Sequence, residues 1–187
     1  ATHLQLADVG KNNVGVDWQA IDNVVTSFNG ESGSHVYQGS SSLDVVDYSA
    51  LPKPDNLIGL TLSDDPGELS KQLLTNNQSP LIGDAWKQDQ LLVAKGNGDL
   101  DLLAGMEAVK LSPNDDHIVL KHGQNLNLWI DGGAGHDTAD IWSQTPPAID
   151  QWRGVEQLIW HPVDANGVPT SKNSTLNDLH EVTVTEG

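Results

Sequence analysis

The chain has no cysteine. That excludes a disulfide framework and any thiolate-held metal. Basic residues are scarce: 9 Lys+Arg stand against 26 Asp+Glu, giving a net charge of −17 and a pI near 4.3. Without a basic stripe to neutralise phosphates, nucleic acid and anionic membrane surfaces are poor partners. There is no apolar run long enough to span a bilayer and no signal peptide, so membrane insertion is not expected. The H-E-x-x-H, G-x-S-x-G, P-loop and dinucleotide fingerprints are missing, and the 7 His are scattered. Adjacent acids such as Asp64-Asp65 and Asp115-Asp116 read as loop acids rather than as a glycosidase pair. The chain therefore reads as non-enzymatic. Aromatics are also few, with 1 Phe and 2 Tyr, yet there are 6 Trp.

What the chain does have is aspartate beside glycine. The acids divide into 20 Asp and 6 Glu, and Gly occurs 18 times. Short Asp side chains suit tight turns and calcium loops, and bound calcium would offset the self-repulsion of so acidic a chain. The best-formed segment runs from Asp131 to Asp140, DGGAGHDTAD. It matches the nonapeptide G-G-x-G-x-D-x-U-x, a calcium-binding turn leading into a short strand. Glycine lets the backbone aim carbonyl oxygens inward, and the sixth-position carboxylate, Asp137, closes the shell round a hard cation. The eighth position points into a core, and here it is the small Ala139.

The skeleton recurs. Residues 30–38 (GESGSHVYQ) and 39–47 (GSSSLDVVD) are consecutive units in register, with His35 and then Asp44 at position six and Tyr37 and then Val46 at position eight. His35 leaves the first unit without its carboxylate. Residues 96–103 place Asp101 at six and Leu103 at eight, and Asp116 precedes Ile118 with the same offset. The candidate metal residues are therefore Asp131, Gly133, Gly135, Asp137 and Asp140 in the main turn. Asp44, Asp47, Asp99, Asp101, Asp115 and Asp116 are the candidates elsewhere. At least two calcium ions are expected.

The rest reads as β structure. Alternation marks residues 14–18, 57–62 and 125–130, the tail 180–187 resembles a strand running into a linker, and Gly, Pro, Asn and Asp punctuate these runs. Pro52, Pro54, Pro146 and Pro147 mark extended loops. One short helix is expected after Asp65-Pro66-Gly67-Glu68, with Leu69, Leu73 and Leu74 on one face, and a second turn over 83–89. An apolar–acid–x–apolar form recurs at Ile21-Asp22, Met106-Glu107 and Val155-Glu156, which suits strands stacked as irregular rungs. The expected fold is all-β, with calcium-stabilised, β-roll or β-solenoid-like layers. The alternative is a β-sandwich with calcium-binding loops. Residues 1–187 suit one domain, and both ends read as cut from something longer.

Residues 131–140 and 39–51 resemble segments of the repeats-in-toxin proteins, which leave the cell by type I secretion and fold on external calcium. Size and acidity are similar to the ligand-binding modules of the giant adhesins of this class, in particular their calcium-dependent peptide-binding domain. The resemblance places the turn carboxylate on Asp137, Asp44 and Asp101. It implies a secreted or bacterial cell-surface module, monomeric when isolated, whose partner is a protein C-terminus on another cell. A glycan ligand and a calcium-stiffened structural spacer are the alternatives. Some modules of this class cleave themselves at an Asp–Pro bond, but Asp65-Pro66 serves better as a helix start. Trp18, Trp129 and Trp142 lie in strand-like apolar contexts and are expected in the core. Trp86, Trp152 and Trp160 lie near loops with Lys87, Arg153 and His161. Trp86, Trp152, Trp160 and Arg153 are the candidate ligand-binding residues.

Overall fold

Short apolar pairs and triplets, each introduced by a tight turn, stack in register to form two sheets. The computed structural model describes residues 16–24, 28–51, 59–65, 91–95, 99–122 and 127–170, and the backbone of 174–177 and 183–186. The first sheet contains β1 (Phe28–Asn29), β3 (Val45–Asp47), β7 (Ala108–Lys110), β9 (Trp129–Asp131) and β11 (Trp152–Arg153), in that order and all parallel. The second contains β2 (Val36–Gln38), β4 (Thr61–Ser63), β5 (Leu91–Ala94), β6 (Leu100–Ala104), β8 (His117–Leu120), β10 (Thr138–Ser143), β12 (Gln157–Pro162), β13 (Ser174–Asn177) and β14 (Thr183–Glu186). Its order is β14-β13-β12-β10-β8-β4-β5-β6-β2.

The chain alternates between the sheets. Each pass gives one strand to the first and one to the second, so the path is a coil. Val109, Ile130 and Trp152 stack at spacings of 21 and 22 residues. Ile118, Ala139 and Leu158 stack at 21 and 19. β5 interrupts this regularity by pairing antiparallel to β4 and β6, and β13–β14 add an antiparallel hairpin beyond β12. The all-β expectation holds, and the parallel register gives the layered form of it. The strand expected in 180–187 is β14.

Between the sheets lies the main core. Val46, Val109, Ile130 and Trp152 face Leu62, Ile118, Ala139 and Leu158, all 3 % exposed or less. Burying one such aliphatic side chain contributes about 1.5–3 kcal/mol. The eighth position of each turn motif does face inward: Val46, Leu103, Ile118 and Ala139 belong to this cluster, with Tyr37 packed at its edge. A second cluster lies on the other face of the first sheet. There Val45, Ala108 and Trp129 are covered by Val16, Ile21 and Leu43.

That cover is the helix α1 (Trp18–Asp22), capped by Asp17, whose carboxylate accepts the Ala20 amide at 2.8 Å. Two expectations are corrected here. Residues 16–18 are not a strand, because Asp17 is an N-cap that turns the chain into a helix. Ile21-Asp22 is likewise helical and is not a rung. The helix expected after Asp65, the turn over 83–89, and Pro52 and Pro54 lie outside the described residues. Pro146 and Pro147 are in a loop as expected.

Candidate functional site: a column of acidic turns

The turns that lead into the second sheet stack on one another, and one rule links them. The residue just before a strand donates its amide to the carboxylate at the same position on the next coil. The Leu60 amide donates to Asp116 Oδ1 at 2.7 Å, the Asp116 amide to Asp137 Oδ1 at 2.7 Å, and the Asp137 amide to Glu156 Oε2 at 2.6 Å. At the far end of the sheet the His35 amide donates to Asp101 Oδ1 at 2.9 Å. The turns leading into the first sheet use the same device where the Asp44 amide donates to Glu107 Oε2 at 2.8 Å. These acids therefore tie coil to coil through charge-assisted hydrogen bonds.

The apolar–acid–x–apolar recurrence now has a cause at two of its three occurrences, because Glu107 and Glu156 are the linking acids. Glycine permits the close stacking. Gly135 has φ +112, and a Cβ there would lie 2.4 Å from the Asn114 carbonyl oxygen. A Cβ on Gly132 would lie 2.2 Å from the Gly154 oxygen and 2.6 Å from Asp137 Oδ2.

Asp116 and Asp137 are 2 % and 0 % exposed, and the Oδ2 atom of each is buried with no hydrogen-bond donor. Burial pushes the Asp116 carboxyl up to about 7, against the bonds from Ser112 and the Leu60 amide. Burial also pushes Asp137 up to about 8, and the charges of Asp116, Glu156 and Asp115 add to this against the bond from the Asp116 amide. A buried carboxylate oxygen without a donor costs free energy unless it meets a proton or a cation. Calcium accepts carboxylates and backbone carbonyls alike, so the donor chemistry here fits it. Asp137 would hold the ion with carbonyls of the stacked turns: the Gly154 oxygen lies against Gly132 as Asp137 Oδ2 does, and the Ser112 and Asn114 oxygens lie against Gly133 and Gly135. The described residues contain no cluster of three His, Cys, Asp or Glu side chains arranged to hold a metal. A site here would therefore combine one or two carboxylates with backbone oxygens.

The other candidate acids have partners. Asp131 pairs with Arg153 at 2.9 Å and accepts the Gly133 amide, and Asp115 accepts the His136 amide at 2.8 Å. Asp44 Oδ2 accepts from the Ser40 amide and hydroxyl, and Asp47 accepts the Ser49 amide. Asp99 accepts the Gly33 amide at 3.0 Å. Asp101 Oδ1 meets the Lys95 ammonium at 2.9 Å, and its Oδ2 accepts the Tyr48 hydroxyl at 2.7 Å. Asp140 lies on the outer face of the second sheet between His117 and His161, at 2.9 and 2.8 Å. The His117 bond, with that from His161, holds the Asp140 carboxyl below its ordinary range against partial burial. Asp99 and Asp101 cannot share an ion with Asp115 and Asp116. β4 and β5 separate β6 from β8, a gap of about 14 Å at ordinary strand spacing.

Three of the four residues expected to bind a ligand are engaged elsewhere. Trp152 is 3 % exposed and belongs to the main core, because β11 turns it inward beside Ile130. Arg153 lies 4.0 Å over the Trp18 ring and bridges Asp22 and Asp131, an arrangement that fastens α1 to the first sheet. It draws the Asp22 carboxyl down to about 2, with help from Lys110 and against partial burial. Trp160 is half-buried against the core, and its indole nitrogen donates to Ser143 Oγ at 3.0 Å. Trp86 lies outside the described residues. Trp129 is buried as expected and Trp18 is partly buried beside it. Trp142 is not core: it lies half-buried on the outer face, stacked on His161 at 4.0 Å with the Lys121 ammonium 5.1 Å from its ring.

Sequence reasoning missed Lys95, Ser112 and Asn114. No motif marks a lysine or a carbonyl as a site residue, so only the register of the coils could reveal them. The chain matches no family model, no curated protein and no solved structure. Among the described residues no helix is long and apolar enough to cross a membrane.

Proposed function

We propose that this chain is a calcium-dependent, non-enzymatic module of a secreted adhesin of the repeats-in-toxin kind. Calcium in the turns before the second sheet orders the coils. One incompletely coordinated ion receives the terminal carboxylate of a protein on another cell surface. The observation that carries the reading is Asp137 Oδ2, buried without a donor in the glycine turn that stacks on Ser112 and Asn114. A bound calcium supplies the positive charge that lets a chain of net charge −17 hold an anion. Outside the best-formed turn, Asp116 donates its amide to the other oxygen of this carboxylate, and the Asp116 and Asp115 charges both act on it.

The test uses one peptide with a free C-terminus and the same peptide amidated, each with calcium and with chelator. Binding of the free form alone, and only in calcium, is expected. Equal binding of both forms, or binding of a simple glycan instead, overturns the peptide reading in favour of a lectin. A second reading, a calcium-stiffened spacer, is favoured by the engagement of Trp152, Arg153 and Trp160 within the fold. It predicts calcium-dependent folding with no ligand of either class.

A further inference from the structure

Lys95 is a buried lysine in an acidic protein, 2 % exposed. Its ammonium donates to three oxygens: the Glu31 and Gly33 carbonyls at 2.6 Å each and Asp101 Oδ1 at 2.9 Å. Three N–H groups meet three acceptors, so the group is satisfied within the protein. The Tyr48 ring lies 5.9 Å away and closes one side.

This cage repeats the turn of Asp116 and Asp137. β2 pairs with β6 through Val36 and Leu102, which sets His35 opposite Asp101. β8 pairs with β10 through His117 and Thr138, which sets Asp116 opposite Asp137. In both places the amide of the first residue donates to Oδ1 of the second, at 2.9 and 2.7 Å. The carbonyls on Lys95 belong to the residues four and two before His35. The same steps back from Asp116 reach Ser112 and Asn114. Their oxygens point at the neighbouring glycine turn, 3.2 Å from a Cβ on Gly133 and 2.4 Å from one on Gly135. Two carbonyls and a carboxylate thus recur. The first set surrounds an ammonium, which meets the same Asp101 Oδ1 that takes the His35 amide, while Oδ2 takes the Tyr48 hydroxyl. In the second set Asp137 Oδ2, the counterpart of the oxygen on Tyr48, has no donor.

We infer that the Lys95 ammonium is the built-in cation of the turn at residues 30–35, filling the oxygen cage that calcium fills at residues 111–116. The chain supplies from its own side chain at one end of the second sheet what it takes from solution further along. The coil at residues 28–48 is therefore ordered without metal, and the calcium count omits this turn. Only the comparison with the second cage rests on the calcium reading, because the contacts of Lys95 stand without it. The same substitution explains why His35 occupies a motif position that elsewhere carries a carboxylate. With an ammonium already in the cage, an acid at position 35 has no cation left to neutralise, and the His35 ring meets the Ser32 carbonyl at 2.8 Å instead.

Hydrogen–deuterium exchange on the full chain reads the two cages separately, through the His35 and Leu102 amides for the first and the Asp116 and Asp137 amides for the second. In chelator the wild type protects His35 and Leu102, and calcium leaves both unchanged. Asp116 and Asp137 gain about tenfold or more when calcium is added. Lys95→Met keeps the length, removes the charge and lowers His35 protection by roughly a hundredfold. Lys95→Ala leaves room for an ion and binds one more calcium than the wild type. If His35 needs calcium as Asp116 does, or if Lys95→Met leaves its protection intact, the inference is wrong. If no amide responds to calcium while Lys95→Met still exposes His35, the calcium reading fails and the role of Lys95 stands. Should Lys95→Met not fold, Lys95→Ala refolding in ethylammonium but not in ethanol supports the cation role, and refolding in neither overturns it.

Discussion

Replacing Asp137 with Asn should stabilise the metal-free protein and forfeit most of that gain in calcium. Asn is nearly isosteric with Asp. Its carbonyl can still accept the Asp116 amide, a bond of 2.7 Å in the wild type. The second position changes from an acceptor without a donor to an amide that donates, on the side of Gly132 where the Gly154 carbonyl lies. In chelator the variant loses the cost of a buried carboxyl held up at about 8. Keeping that group protonated at about pH 7.4 costs at most about 5 kcal/mol relative to a free carboxyl. The ordinary penalty for one unpaired buried polar group is about 1–3 kcal/mol. The metal-free variant should therefore be more stable than the metal-free wild type, by about 1–5 kcal/mol. In calcium the wild type gains on the variant, because the variant lacks a charged ligand. Binding to the native state contributes roughly 4 kcal/mol at a thousandfold excess over the dissociation constant, and the variant forfeits most of this at that site. Urea unfolding of both proteins, in calcium and in chelator, gives the four free energies. A loss of stability of the same size in both conditions would refute the reasoning.

The pH dependence of the metal-free protein follows from the same two carboxyls. Asp116 and Asp137 are held at about 7 and about 8 against 3.8 when free, so stability falls as pH rises from the free value and levels off above the folded ones. Denaturant midpoints in chelator should fall between about pH 4 and about pH 8, whereas in calcium the trend should weaken or reverse because protons compete for the ligands. Gly135→Val should destabilise by about 2–4 kcal/mol and weaken calcium binding in a titration, because φ is +112 and the new Cβ would meet the Asn114 oxygen. Arg153→Ala should release α1, removing the stack on Trp18 and the pairs with Asp22 and Asp131. Its cost, discounted for solvent, is about 1 kcal/mol, and hydrogen exchange should show it in residues 18–23 before the main core.

Much of the coil was legible because it repeats. The nonapeptide spacing located the inward residues Val46, Leu103, Ile118 and Ala139, since one turn followed by a two-residue alternation fixes which side chain faces the core. The recurring acid before an apolar pair located Glu107 and Glu156, though not their task. That task depends on the amide of another coil, 19 residues away for Glu156 and 63 for Glu107, and no local pattern encodes it. The tryptophans were misread for a related reason. Trp152 and Trp142 both lie in short mixed segments, and strand parity against a particular neighbour decides which is buried. Trp152 stacks beside Ile130, while Trp142 falls opposite His161 on the outer face. α1 was hidden because Val16-Asp17-Trp18 alternates as a strand would, and only the capping bond of Asp17 separates the two readings. Asp101 was expected at a metal, but its partner proved to be Lys95. A lysine six residues away in sequence carries no signal that it will be buried beside it.

The most direct test is thermal unfolding of the purified chain in calcium and in excess chelator, with bound metal counted by elemental analysis. The account predicts at least two calcium ions per chain and a clearly higher unfolding midpoint in calcium. Equal midpoints with no bound metal would contradict it.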